Sequence, residues 1–131
     1  MLRRLLPFVL LMLMARPASA ERLFVPDGAR GRAAATTRVD APTARDLASR
    51  RRAFVLTDVP LAGGATASFA LTPLEVFAPD ATLVEFDGTH ARAIGRPDVA
   101  VYEGADVATP TRSLVLTIVG GTQVGALVRD G

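Results

Sequence analysis

The side chains able to perform acid, base or metal chemistry are few in this chain. His90 is its single histidine, and the chain has no cysteine. A catalytic zinc site usually takes two or three histidines with a carboxylate, and a Ser-His-Asp triad needs a nucleophile beside an oriented histidine. One histidine excludes the first in its familiar forms, and the second has no Gly-x-Ser-x-Gly elbow to support it. We therefore predict no catalytic, cofactor-binding or metal-binding residue, and we interpret His90 as a surface strand residue.

The carboxylates are scattered among turn sequences and do not form a group. Those of the C-terminal part are Asp80, Glu85, Asp87, Asp98, Glu103 and Asp106. None belongs to the alternating Asp/Asn loop of an EF-hand, and nothing marks two of them as a general acid and base. We interpret them as turn formers and solubilising charges. A calcium site assembled from separate loops is the alternative.

Arg50-Arg51-Arg52 is the one dense charge cluster. It could be a processing site for a trypsin-like protease or a contact for an anionic surface. It lies where a polar segment gives way to an apolar one, so we favour a solvated boundary.

Residues 1–20 have the three parts of a secretory signal peptide. Arg3 and Arg4 give a positive start, an apolar run spans residues 5–14, and Ala18-Ser19-Ala20 offers a small-x-small cleavage site. The run is too short to cross a bilayer, which takes about twenty residues. We therefore predict a secreted or periplasmic protein without a stable membrane anchor, after removal of residues 1–20.

Net charge changes once this leader is set aside. The whole chain has 15 basic and 13 acidic residues, a formal charge of +2. Arg3, Arg4 and Arg16 lie in the leader, so 12 arginines and 13 acids remain, a charge of −1. A nucleic-acid partner would require a basic face on the working domain, so we predict no such partner.

Residues 21–52 are predicted to be an N-terminal extension or flexible linker. Between Ala29 and Arg52 the large apolar residues are few, Val39 and Leu47 among them, so this stretch cannot bury much surface. A short helix capped by Thr43 is compatible with residues 43–51. The absence of cysteine excludes a disulfide framework, so stability must come from packing.

From Ala53 onward, short runs rich in Val, Leu, Phe and Thr alternate with Gly, Pro and Asp. This texture is typical of an all-β domain, and no helical periodicity competes with it. We predict a small antiparallel β-sandwich or partial sandwich over residues 53–131. The predicted strands are 53–59, 66–71, 74–77, 81–86, 89–94, 100–102, 113–119 and 122–128.

Two turns contain residues that could set strand register. Gly120-Gly121 suits a two-residue primed turn, which would pair Val119 with Thr122 and place Leu127 on the face of Leu116. Both faces of that hairpin are apolar, so we expect both to be covered. Asp87-Gly88 suits a second hairpin, with Glu85 opposite His90.

The C-terminal sequence suggests that a further strand could follow. The strand pattern runs through Val128, and Arg129-Asp130-Gly131 is a turn-like group. We expect either that the last hairpin is the edge of a complete sandwich, or that the chain is the front part of a longer secreted protein.

Residues 52–131 also carry a resemblance to a known family. The stretches concerned are Leu74-Glu-Val-Phe-Ala-Pro-Asp80, Val101-Tyr-Glu-Gly104, Ser113-Leu-Val-Leu116, Gly121 and Val124-Gly-Ala-Leu-Val-Arg-Asp-Gly131. In order and type they resemble the N-terminal, propeptide-like region of secreted bacterial zinc metallopeptidases of the reprolysin-like (adamalysin) class. That region consists of consecutive strands ahead of the catalytic domain.

The chain also departs from that family in two features. Its enzymes bind zinc through His-Glu-x-x-His and a third histidine, and many animal relatives silence the zinc with a propeptide cysteine; this chain has neither feature. The resemblance therefore implies a prodomain-like piece without its enzyme.

Three functions compete. The first is a secreted noncatalytic β domain that serves as folding aid or inhibitory cover for a metallopeptidase domain not present in this chain. The second is an independent secreted β-sandwich that binds an envelope protein or glycan. The third, an enzyme acting alone, has the least support because so few catalytic groups are available.

Overall fold

A computed structural model of the protein describes residues 18–26 and 37–131. Met1–Pro17 lie outside the described residues, so the signal peptide stays a prediction. In chain order the elements are β1 (Ala20–Arg22), β2 (Phe24–Pro26), β3 (Thr37–Val39), α1 (Ala41–Arg50), β4 (Phe54–Pro60), β5 (Thr66–Leu74), β6 (Leu83–Phe86), β7 (Ala91–Ile94), β8 (Val99–Asp106), β9 (Ser113–Val119) and β10 (Gln123–Arg129). Within the described ranges, no helix is long and apolar enough to cross a membrane.

The protein is mostly β, with sheets packed in a sandwich-like arrangement, and the all-β prediction is confirmed. The main sheet has six strands in the order β1-β4-β5-β8-β9-β10, and two smaller ladders pair β2 with β3 and β6 with β7. Pairing is antiparallel except between β1 and β4. The predicted strand at 74–77 does not form separately, because β5 continues to Leu74 and ends there.

One face of the main sheet, here called the inner face, holds the core. Its buried side chains alternate along the strands with exposed or half-buried ones, as a sheet covered on one side requires. They are Phe54, Leu56, Val59, Phe69, Leu71, Ala100, Tyr102, Leu114, Leu116 and Ile118. Tyr102 lies near the centre, where its ring meets Phe54 edge-on at 5.0 Å between centroids. Its hydroxyl donates a hydrogen bond to the Leu47 carbonyl in α1, and burial raises the pKa of the phenol.

The segment expected to be a linker contributes to this core, and here the prediction was wrong. Leu23, Ala44 and Leu47 are fully buried in the same cluster as the sheet residues. Ala44 and Leu47 lie three residues apart and so share one face of α1. A few well-spaced apolar residues, each entirely buried, anchor a segment whose composition is otherwise polar.

The helix is capped by Asp40, three residues before the predicted cap Thr43. The Asp40 Oδ2 accepts hydrogen bonds from the backbone nitrogen of Thr43 at 3.0 Å and from its hydroxyl at 2.6 Å. Thr43 thereby lowers the pKa of the Asp40 carboxyl. Pro42 lies in the first turn, where its missing N–H costs nothing. The helix ends at Arg51, whose left-handed backbone (φ 43°) stops further winding.

The register predicted for the last hairpin is one residue off. Gly120 and Gly121 both have positive φ, as a primed turn requires, and Thr122 N donates to Val119 O at 3.2 Å. The ladder then pairs Val119 with Gln123, because Thr122 is an extra residue beside the turn. A one-residue slip exchanges the two faces of a strand. Leu127 therefore shares its face with Val115 instead of Leu116.

Candidate functional site

His90 lies at the tip of the β6–β7 hairpin, with 81% of its side chain exposed. Its Nδ1 is 4.0 Å from Asp87 Oδ1. The same Asp87 oxygen accepts the backbone N–H groups of His90 and Thr89 at 2.8 and 2.9 Å, and these bonds lower the pKa of the Asp87 carboxyl. Asp87 thus organises the turn backbone, and His90 is a turn residue.

The partner predicted for His90 was wrong. Glu85 pairs with Arg92 in the ladder and forms an exposed salt bridge with its guanidinium. The hairpin loop extends over residues 87–90, which moves the register by two residues from the predicted one. A register shift of two residues leaves each side chain on the same face of the hairpin. The side chains of β6 therefore alternate between the two faces as predicted.

The remaining carboxylates do not converge. In residues 18–26 and 37–131, no group of three or more His, Asp or Glu side chains could hold a metal ion. Asp106 is the buried one, at 3% exposure, and it accepts from Arg112 Nη1 at 3.0 Å and from Ala108 N at 2.9 Å. Arg112 also donates to Asp130 at 2.6 Å. This network ties β8, the turn before β9 and the end of β10 together.

The arginine cluster divides among separate contacts. Arg50 bonds the Glu21 carboxylate at 2.5 Å and also pairs with Asp46, and Glu21 contributes most to raising the pKa of the guanidinium. Arg51 donates to Val99 O at 3.2 Å. These contacts tie α1 to β1 and β8, so the cluster does not mark a boundary between a flexible linker and the core.

A groove of about 670 Å³ lies beside a bulge in β4. Asp58 occupies the bulge with a positive φ of 56°. Its carboxylate forms a salt bridge with Arg22 at 2.6 Å, and both line the groove with Phe24 and Leu61. The two charges satisfy each other, so the groove offers no additional polar cluster among the described residues.

The most exposed apolar structure is a projecting arm, residues 75–98, between the paired ends of β5 and β8. It consists of the β6–β7 hairpin and its two connections. At its base, Arg96 Nη2 donates to the carbonyls of Ala78 at 2.8 Å and Ala81 at 3.3 Å, and also to that of Pro79. A single guanidinium therefore links the two connections of the arm to each other.

The two faces of the arm differ in chemistry. One carries the Glu85–Arg92 salt bridge beside the pair Leu83 and Ile94, of which Ile94 is 44% exposed. On the other, here called the apolar arm face, Val84 pairs with Ala93 and Phe86 with Ala91. Val84 is 57% exposed and Phe86 is 66% exposed. Alanine is too small to cover the phenyl ring opposite it, so this face is left open to water.

A second apolar surface lies on the outer face of the main sheet. Val115, Val119 and Leu127 are 36%, 39% and 58% exposed there. The sequence predicted cover on both sides of the β9–β10 hairpin, and this was wrong. In the described part of the chain, α1 packs only on the inner face, where Leu47 joins the core.

No protein-family model matches this chain, and no curated protein or solved structure matches it either. The resemblance to metallopeptidase propeptides stays a prediction from the residues that carry it. The sequence predicted the hairpin of the arm, but not the exposure of its apolar face. The small residues Ala91 and Ala93 opposite Phe86 and Val84 are the signal that could have revealed it.

Proposed function

We propose that this chain is a secreted, noncatalytic β domain that acts by binding, as a folding aid or inhibitory cover for a zinc metallopeptidase catalytic domain. The observation that carries the proposal is the apolar arm face, with Val84 and Phe86 more than half exposed. Removing apolar surface of this kind from water is favourable by about 25 cal/mol for each Å², from which the entropic cost of association is subtracted. Contiguous exposed apolar patches commonly mark interaction sites.

The shape of the arm suits insertion into a cleft. Strands β6 and β7 have four residues each, a length of about 13 Å at the usual rise per residue. Arg96 holds the base of the arm, so less conformational freedom is lost on binding than with a free loop. An arm of this kind could enter or cover a substrate cleft while the main sheet remains outside.

The charge of the arm favours a basic partner surface. Its acidic residues are Glu75, Asp80, Glu85, Asp87 and Asp98, and its basic ones are Arg92 and Arg96. Complementary charge on the partner would orient the encounter and raise the association rate. We therefore expect the partner's cleft to be apolar inside and rimmed by arginine or lysine.

The second candidate is an independent module that binds an envelope protein, and it would use the same arm. A glycan partner has less support, because a sugar needs hydrogen-bonding side chains beside the ring on which it stacks. The exposed ring of Phe86 shares its face with Val84, Ala91 and Ala93, which supply none.

The proposal predicts that the chain assists or inhibits a catalytic domain supplied in trans. Residues 21–131 would be added during refolding of a reprolysin-like catalytic domain, containing His-Glu-x-x-His, from the organism that encodes this chain. We expect a higher yield of folded protease, or slower peptide hydrolysis by the folded protease. The chain alone should cleave nothing, with or without zinc.

Two variants make this experiment specific. Phe86→Ser removes the largest side chain of the apolar arm face and should abolish the effect on yield or hydrolysis. Val119→Ser changes an exposed apolar residue on the main sheet and should retain it. Absence of any effect by the unmodified chain, or cleavage by the chain itself that His90→Ala removes, would contradict the proposal.

A further inference from the structure

Strand β10 forms an open edge of the main sheet. It is the last strand in the sheet order and is seven residues long, whereas β1 at the other edge has three. Gly131 N donates to Thr111 O at 3.1 Å, which extends the β9–β10 register and identifies its hydrogen-bonded pairs. Such pairs alternate in an antiparallel ladder. The backbone N–H and C=O groups of Val124, Ala126 and Val128 therefore point away from β9.

This edge lacks the features that usually prevent strand pairing. Natural edge strands are commonly protected by proline, by bulges or by charged side chains within the strand. The β10 ladder with β9 is regular from Gln123 to Arg129, contains no proline, and has one charged residue, Arg129, at its end. Its outward backbone groups pair with no strand in the part of the chain that the structure describes, and they form a template for another strand.

We propose that β10 pairs with β10 of a second copy of this chain, antiparallel, about a two-fold axis at Ala126. This two-fold register aligns the whole of β10, with Gln123 opposite Arg129 at each end. It places Ala126 opposite itself and Val124 opposite Val128. These residues carry the outward backbone groups, so about six hydrogen bonds form between the copies.

The side chains fit this register on the outer face. Leu127 is 58% exposed, and the register places it opposite Gly125 of the second copy. A side chain at Gly125 would meet nothing within 4 Å, so the space beside it is open. Leu127 of each copy thus enters the space beside Gly125 of the other.

The inner face and the charges agree with the same register. Val124 and Val128 are half-buried and pack against the core. In the proposed register, Val124 of each copy lies beside Val128 of the other copy. Arg129 lies opposite Gln123, so no like charges face each other. The result is one continuous sheet across both copies, closed by symmetry and without an open β10 edge.

Sedimentation of residues 21–131 from micromolar to millimolar concentration tests this. We expect the apparent mass to double as concentration rises. Leu127→Lys should weaken self-association about ten-fold or more, since it brings a cation into the apolar contact. Phe86→Ser is the matched control, because it alters an apolar residue of similar exposure on the arm and should leave the dimer unchanged.

Amide hydrogen exchange on the unmodified chain gives a second readout that needs no variant. The amides of Val124, Ala126 and Val128 should become protected only at high concentration. Those of Gly125 and Leu127, which bond β9, should be protected throughout. A monomer at every concentration would overturn the proposal. So would a dimer that Phe86→Ser dissociates or whose exchange at the three outward amides does not change.

Discussion

Replacing Gly104 with alanine is expected to be the most damaging small substitution in this protein. Gly104 lies in β8 opposite Leu71 of β5, and an added Cβ would be 1.8 Å from the backbone oxygen of Ala70. Backbone of a central strand cannot give way as a flexible side chain can. The two strands would have to separate, and overpacking of this kind costs about 3 kcal/mol or more.

Urea denaturation of the Gly104→Ala variant measures this cost, with Gly125→Ala as the matched control. Both glycines lie in strands of the main sheet, but the Cβ position of Gly125 is empty. We expect the midpoint urea concentration for unfolding of the Gly125→Ala control to be nearly that of the unmodified chain. Equal stability of both variants would mean that β5 and β8 do not approach as closely as described.

Truncating Leu116 is expected to have the second largest effect. Leu116 is fully buried in β9 and lies opposite Tyr102 in β8. Removing the side chain leaves a cavity beside the tyrosine, whose position is fixed by its ring contact with Phe54 and its bond to Leu47. The surroundings can collapse little, so Leu116→Ala should cost about 2–5 kcal/mol.

The control for Leu116 is its neighbour Val115, which points to the outer face and is 36% exposed. Val115→Ala should lower the free energy of unfolding by about 1 kcal/mol or less. A far-ultraviolet spectrum should remain dominated by β-sheet in both variants. If the two variants lost the same free energy, the assignment of inner and outer faces would be wrong.

The strands after Ala53 were predictable where runs rich in Val, Leu, Phe and Thr lie between turn formers. The bounds of β9, Ser113–Val119, agree with the prediction, since a run rich in aliphatic residues meets a Gly-Gly pair at its end. Register was less predictable. Gly120-Gly121 determined the turn, but nothing local shows that Thr122 lies outside the ladder.

The contribution of α1 could not be predicted from composition. Ala44 and Leu47 are sparse apolar residues in a polar stretch, and their burial depends on the inner face that distant strands create. Local sequence indicated a helix, but tertiary packing makes it part of the domain. The predicted boundary at residue 52 therefore separated residues that share one core.

The candidate site was the least predictable part. Val84 and Phe86 have the pattern of ordinary strand residues, and exposure follows from what packs against a strand. Their exposure depends on the register of the ladder, which places Ala93 opposite Val84 and Ala91 opposite Phe86. A surface made of common apolar residues has no sequence motif, so its exposure could not be predicted from residue types alone.

Direct titration of the chain into a reprolysin-like catalytic domain from the same organism tests the central claim, that the apolar arm face is the binding surface. Calorimetry should detect a complex with residues 21–131. Phe86→Ser should weaken it by about 2 kcal/mol, or roughly thirty-fold, as expected for a buried aromatic anchor. Val119→Ser should bind like the unmodified chain. Binding that is absent, or equally strong with Phe86→Ser, would contradict the claim.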